Sequence, residues 1–285
     1  MPSFEGRFSI NVYKNASALP EYVWTVFESH PRASNVMYPH ALHCRHQEQH
    51  GIATNATYIV CTTTNLLTAS DPSVDFVLSC TDGSLGKYPV FIFTPLPPAD
   101  LHTNYTKQRL YALACELQAA QPSNRVFSVF APEAVTLQFC SIWSTITGIP
   151  LDPEPEYYAA KITYCTNRSF RPRQRTLFPD VEYTLRLAQD DDVMRAAELC
   201  YGFAKESEPF TLTEAGALRE ASLLIQQGNL WIHEMRRCGQ KPEIASIVAV
   251  TRTSDTVAAI TKVYTNPRWR KRGCAERLTR KVTQQ

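Results

Sequence analysis

Apolar positions along this chain change their period several times, and each change marks an element. Thr57 to Thr64 and Val74 to Cys80 are short runs rich in β-branched residues, and the second ends at the turn Asp82-Gly83. Both patterns predict strands. Tyr88 to Thr94 is a third apolar run, with Pro89 near its start and the proline-rich loop Pro95 to Pro98 behind it. From about Tyr105 to Ala120 the period lengthens to that of a helix. Leu110, Leu113, Ala114 and Leu117 recur at i, i+3, i+4 and i+7. Arg125 to Ala131 reads as a strand. A helix then opens with Pro132 in its first turn and closes at Gly148, with Val135, Phe139, Ile142, Trp143 and Ile146 on its core face. Tyr157 to Cys165 reads as a last strand. The predicted order is β-β-β-α-β-α-β, preceded by a helical region.

The periodicity then stops. Asn167 to Asp180 is basic, carries two prolines and has no steady period, which is the composition of a linker. It divides the chain into 1–168 and 181–285, with 169–180 between them. Beyond it, Tyr183 to Leu187 predicts a short strand. Asp190 is expected to cap a helix whose first turn holds Asp191 and Asp192 and whose apolar stripe is Val193, Ala196, Ala197 and Cys200. Thr211 and Glu214 match a capping box for a second helix ending near Gly228. Leu230 to Glu234, Ile244 to Thr251 and Val257 to Thr265 predict strands, the last two joined by the turn Ser254-Asp255. The predicted order here is β-α-α-β-β-β, then a loop and a helix start.

Composition narrows the class. A length of 285 residues with 44% apolar residues supports two domains with cores of their own, an α+β chain overall. The net charge of +2 gives no global attraction to nucleic acid. Met1 to Lys14 has no apolar segment of signal-peptide type, and no apolar run is long enough for a membrane span, so an intracellular, cytoplasmic protein is expected. The nine cysteines show no metal-type or redox-type spacing and read as reduced thiols, most of them in the core. His43, His46 and His50 fall at i, i+3 and i+7, near His40 and Cys44. They lack an accompanying metal-ligand pattern, and a surface helix after Pro39 explains them, so no metal is expected.

Local charge is where the sequence becomes specific. Seven basic residues lie between Arg268 and Lys281, opposed only by Glu276. The segment runs from an apolar strand through Pro267 into Arg270-Lys271-Arg272-Gly273-Cys274-Ala275 and then a helix. Such a loop turns free backbone N–H groups toward one point at a helix N-terminus, where they and the helix dipole bind phosphate. Gly273 permits close approach of the backbone, and the small Ala275 leaves room for a diphosphate. Aromatic interleaving is confined to Trp269, which argues against a nucleic-acid surface.

The Arg-x-x-Gly-x-Ala string after a pair of strands resembles the acetyl-CoA signature of the GNAT N-acetyltransferase superfamily, and the element order from Tyr183 onward resembles that fold. The resemblance implies a mixed sheet flanked by helices. It implies that amides near Lys271 to Ala275 hold the pyrophosphate of acetyl-CoA, and that Val263, Tyr264 and Thr265 pair with its pantetheine arm. It also implies acetyl transfer to an amine, with a backbone N–H near Tyr264 or Thr265 as oxyanion donor. Glu234, ending one strand, and Glu243, opening the next, are the weak candidates for the base. The family's later strands, including the tyrosine that often protonates the thiolate, have no counterpart before Gln285, so the second unit is expected to be incomplete. The first half resembles a degenerate GNAT-like unit, or else an unrelated α+β domain, because Pro95 to Asn104 lacks the signature and its prolines remove N–H donors. An active acyltransferase and a catalytically silent binding module both fit. The acceptor amine and the oligomeric state are not legible.

Overall fold

A computed structural model describes residues 6–65, 71–154, 159–171, 181–207 and 211–285. Contacts divide the chain into two compact units, 1–153 with 253–257, and 154–252 with 258–285.

The first unit comprises β1 (Gly6–Tyr13), α1 (Glu21–Ser29), α2 (Tyr38–Gln49), β2 (Ala56–Asn65) and β3 (Ser73–Gly83). The two-residue β4 (Gly86–Lys87), β5 (Val90–Phe93), α3 (Asn104–Ala120), the two-residue β6 (Val129–Phe130) and α4 (Glu133–Thr147) follow. The sheet order is β1-β2-β3-β5-β6, with β4 attached to β3. Neighbours are antiparallel except β5 and β6, which run parallel at Val90↔Val129 and Phe91↔Phe130. Each face of the sheet is covered. Ile59, Phe76, Leu78 and Ile92 pack with Leu110, Leu113 and Leu117 of α3 and Val135 and Phe139 of α4. Tyr58, Val60, Val77 and Phe93 pack with Trp24 and Phe27 of α1, with Ala41 of α2 and with Met37 just before it. Alternate residues of central strands therefore feed opposite cores, which is why those strands read as unbroken apolar runs.

Three expectations for this half need correction. The helical region at the start is preceded by a strand, β1, whose Phe8 and Ile10 pack on the α3/α4 side while Arg7, Ser9 and Asn11 are exposed. Of the expected strand Arg125 to Ala131 only Val129–Phe130 pairs. Arg125 sits in a 3-10 turn, its guanidinium donating to the carbonyls of Thr81 (2.7 Å) and Tyr88 (3.0 Å) and to Asp82 (3.0 Å). The expected strand Tyr157 to Cys165 is not formed over residues 159–165, which are irregular, with Ile162 73% and Tyr164 69% exposed. Strand preference is a fit to a half-buried pleated surface, and among the described residues no strand pairs with this segment. Residues 157 and 158, and residues 172–180 of the expected linker, lie outside the described residues.

The second unit comprises β7 (Val181–Leu187), α5 (Val193–Lys205), α6 (Glu214–Gln226), β8 (Leu230–Arg237), β9 (Glu243–Thr253), β10 (Ala258–Thr265) and α7 (Cys274–Thr283). Its sheet order is β10-β9-β8-β7, with β7–β8 and β8–β9 antiparallel. Leu230, Ile232, Ile247 and Ala249 pack against α5 and α6. Met235, Ala245, Trp269 and Cys274 form a smaller cluster on the α7 side. With β4 set aside, the first unit opens with the β-α-α-β-β-β-α order of the second and continues with β6 and α4.

Two caps differ from expectation. The first helix is entered by a 3-10 turn over Asp190–Asp192 with a capping box between Gln189 and Asp192, rather than a cap at Asp190. Asp192 is drawn inward by Arg186 (2.6 Å) and Arg195 (2.5 Å), so its carboxylate closes the box on the Gln189 amide (2.9 Å). The second helix is capped by Thr213, whose hydroxyl accepts from the Gly216 amide (3.0 Å), not by Thr211.

No described helix is long and apolar enough to cross a membrane. Among the described residues no group of three or more His, Cys, Asp or Glu is placed to hold a metal ion. His40 stands edge-on to Tyr88 at 5.0 Å, and the His46 and His50 rings lie 4.3 Å apart.

Candidate functional site

Strand β10 is the edge of the second sheet, and its end leads directly into the basic loop. It stays tied to β9 as far as Asn266, whose amide donates to the Ala245 carbonyl (2.9 Å). The Thr265 hydroxyl bonds that of Ser246 (2.7 Å). Val263 is exposed on this edge, while Tyr264 and Thr265 are half-buried.

After β10 the chain turns sharply. The Asn266 side chain accepts from the Arg268 amide (3.0 Å) and caps a 3-10 turn, Pro267–Trp269. Trp269 is the anchor. Its ring is buried among Met235, Ala245 and Cys274, flanked by the guanidinium groups of Arg237 (5.1 Å) and Arg272 (5.3 Å), and its indole N–H donates to Glu243 (3.0 Å). Beyond it the backbone enters the left-handed region twice, at Lys271 (φ +60) and Gly273 (φ +66). For Lys271 that costs about 1–2 kcal/mol. Only a loop held at both ends keeps such a conformation.

The direction of the amides follows from one further bond. Arg277 Nη2 donates to the Arg272 carbonyl (2.7 Å). Across a planar trans peptide the Gly273 N–H points the opposite way, away from that guanidinium. Gly273 is the N-cap of α7, so the amides of Gly273, Cys274 and Ala275 belong to the turn that has no intrahelical acceptor. Left-handed turns followed by a helix N-terminus concentrate N–H donors and positive dipole at one point. Cys274 is buried, so the exposed face of the loop is made by Lys271, Arg272 and Gly273.

The cations here are not equivalent. Lys271 and Arg272 are exposed beside the loop. Arg270 is folded back. Its Nη2 reaches both carboxylate oxygens of Glu206 (2.8 and 2.7 Å), and its Nε donates to the Thr265 carbonyl (3.2 Å). The Glu206 carboxylate also accepts from the Tyr264 hydroxyl (2.8 Å). The Tyr264 phenol is raised by burial and by that carboxylate, while the same hydroxyl and Arg270 lower Glu206. Arg277 donates to Nε2 of the fully buried His233 (3.2 Å), whose imidazole is pushed down to about 4 by burial and by Arg277.

The two acidic candidates sit where β8 and β9 meet, at the end of the sheet where β10 leaves it. Each is engaged. Glu234 accepts from Arg186 (2.8 Å), with Arg195 at 3.7 Å, and Glu243 accepts from Trp269. Glu206 was not visible in the sequence as part of this site. It lies 64 residues from Arg270, and no local pattern links them.

The corresponding turn of the first unit is built differently. The loop from β5 to α3 passes through Pro95, Pro97 and Pro98. The hydroxyls of Thr103 and Thr106 fold onto the Asp100 carbonyl (2.8 and 2.9 Å), and Thr103 caps α3. Leu96, Val129 and Ala131 pack into the core at this edge.

No family model matches the chain, and a search of curated proteins finds no match. Among solved structures, a possible acetyltransferase from Clostridium difficile 630 aligns with a TM-score of 0.31 and 20% identity, over 36% of this chain and 69% of that one. The aminoglycoside N-acetyltransferase AAC(6')-Iy, solved with CoA, aligns with a TM-score of 0.30 and 14% identity, over 38% of this chain and 72% of that one.

Proposed function

We propose that the second unit binds an acyl-CoA through the loop Arg270–Ala275 and the edge of β10, and that the chain is an acetyl-CoA-dependent N-acetyltransferase acting on an amine. The observation that carries this reading is the loop itself. Two left-handed residues and a carbonyl tied back by Arg277 turn the Gly273 amide outward at a helix N-terminus, at the end of the edge strand β10, where Val263 is exposed. A diphosphate fits the amides, Lys271 and Arg272 add charge, and a pantetheine arm would extend along β10. Acetyl transfer then needs loss of a proton from the amine and stabilisation of the thioester oxygen. The amide nearest the end of β10 serves the second requirement in this reading.

The first unit is read as a GNAT-like partner that has lost its cradle. It opens with the same element order, but Thr103 and Asp100 close the start of its α3 and prolines occupy its loop. A tandem arrangement of one binding and one non-binding unit follows.

A second reading has its own support. Glu234 is engaged by Arg186 and Glu243 by the Trp269 indole, so neither carboxylate stands open to an incoming amine, which favours a CoA-binding module without turnover. Thiol release from acetyl-CoA across a panel of amines separates the two. Turnover establishes the enzyme, while binding without turnover establishes the module. Absence of both turnover and a thermal shift with CoA would remove the cofactor reading.

A further inference from the structure

We infer that Glu206 is a positioning residue for the phosphate loop, clamping Arg270 so that the end of α5, the end of β10 and the loop move as one piece. This rests on the cofactor reading above. One carboxylate receives three contacts at this junction, from the Tyr264 hydroxyl at 2.8 Å and from Arg270 Nη2 at 2.8 and 2.7 Å. Arg270 is held from its other side by the Thr265 carbonyl at 3.2 Å. The side chain of the first residue of the loop is thus fixed to both the strand that precedes it and the helix beside it.

The packing beneath the clamp is built to admit it. A Cβ added at Gly202 of α5 would lie 2.7 Å from the Tyr264 ring. Any larger residue at 202 displaces the ring, and with it the hydroxyl that orients Glu206. Glu206 is also the C-cap of α5, its amide bonded to the carbonyls of Ala204, Gly202 and Phe203. The carboxylate therefore stands on a fixed backbone position.

Stability is not what the clamp supplies. Both side chains are nearly half exposed, at 43% for Arg270 and 47% for Glu206, and pairs of this kind add little to folding. Their effect is preorganisation, which is felt in binding.

The test is calorimetric titration of CoA into wild-type chain, Glu206→Gln, Arg270→Gln and the double variant, with the melting temperature of each. Glu206→Gln should weaken CoA by about tenfold, inside the roughly hundredfold that an ångström of misplacement can cost. Its melting temperature should stay within about 2 °C of wild type, as for a surface substitution. In the Arg270→Gln background the same change should have no further effect, because Glu206 acts through Arg270. Unchanged or tighter binding by Glu206→Gln overturns the inference, as does an equal loss on both backgrounds. Absence of binding by the wild-type chain overturns the cofactor reading first, and this inference with it.

Discussion

The buried pair Asp75–Arg109 of the first unit gives the sharpest test of how the fold is held. The two side chains are 2% and 4% exposed, and Arg109 Nε lies 2.8 Å from the carboxylate. Asp75 also accepts from Tyr105 (2.7 Å) and Thr63 (2.6 Å). Arg109 spends its other nitrogens on the Thr63 hydroxyl (2.7 Å) and the Tyr105 carbonyl (3.1 Å). Its guanidinium lies over the Tyr105 ring at 3.2 Å. The cluster ties β2, β3 and the first turns of α3. Arg109→Met removes the cation and leaves a buried carboxylate with two hydroxyl donors. Breaking a buried pair on one side costs about 3–5 kcal/mol. Against a stability of about 5–15 kcal/mol this is a large share. At roughly 2–4 °C per kcal/mol for a domain near this size, the melting midpoint of the first unit falls by about 10 °C. Replacing both partners, Asp75→Leu with Arg109→Met, removes the stranded charge and should recover most of the loss. Urea unfolding followed by circular dichroism reads both variants against the wild type. A loss below about 1 kcal/mol for Arg109→Met would refute the reasoning, because that is the scale of a solvated pair. A double variant worse than the single one would refute it too.

Three further outcomes follow from the second unit. His233 titrates near 4 in the folded chain against 6.5 ordinarily, so the unfolded chain takes up its proton first as pH falls. The stability it contributes is complete above pH 6.5 and is lost toward pH 4, on the order of 3 kcal/mol. His233→Gln should keep an acceptor for Arg277 and flatten this loss, read as the urea midpoint at pH 7 and pH 4.5; equal acid sensitivity in both chains would contradict the assignment. Thr213→Ala removes the hydroxyl that caps α6 and should cost about 1 kcal/mol in thermal unfolding. Gly273→Ala must hold φ near +66, which costs about 1–2 kcal/mol, and its Cβ meets Nη1 of the Arg277 guanidinium, itself held by the Arg272 carbonyl and His233, at 3.2 Å. A stabilised Gly273→Ala chain would mean that the left-handed turn is not held.

Much of the fold was legible because apolar periods report burial. The α3 and α4 stripes are visible as Leu110-Leu113-Leu117 and Val135-Phe139-Ile142, and those residues do form one core. Strand β1 was the avoidable miss, since Phe8, Ile10 and Val12 alternate with Arg7, Ser9 and Asn11. The segment 159–165 misled because β-branched and aromatic residues signal a strand only where a partner surface exists. At the site, the loop was legible because glycine and charge are local signals. Its supports were not. Glu206 and Glu243 reach Arg270 and Trp269 by tertiary contact, and the buried Asp75–Arg109 pair spans 34 positions without any pattern between them.

The central claim is the phosphate cradle at the start of α7. Calorimetric titration of CoA into the wild-type chain and Gly273→Asp tests it most directly. One saturable site that weakens with added salt is predicted for the wild type, and none for the variant, where a carboxylate would meet the pyrophosphate. No heat of binding in the wild type, or equal affinity in both chains, would contradict the account.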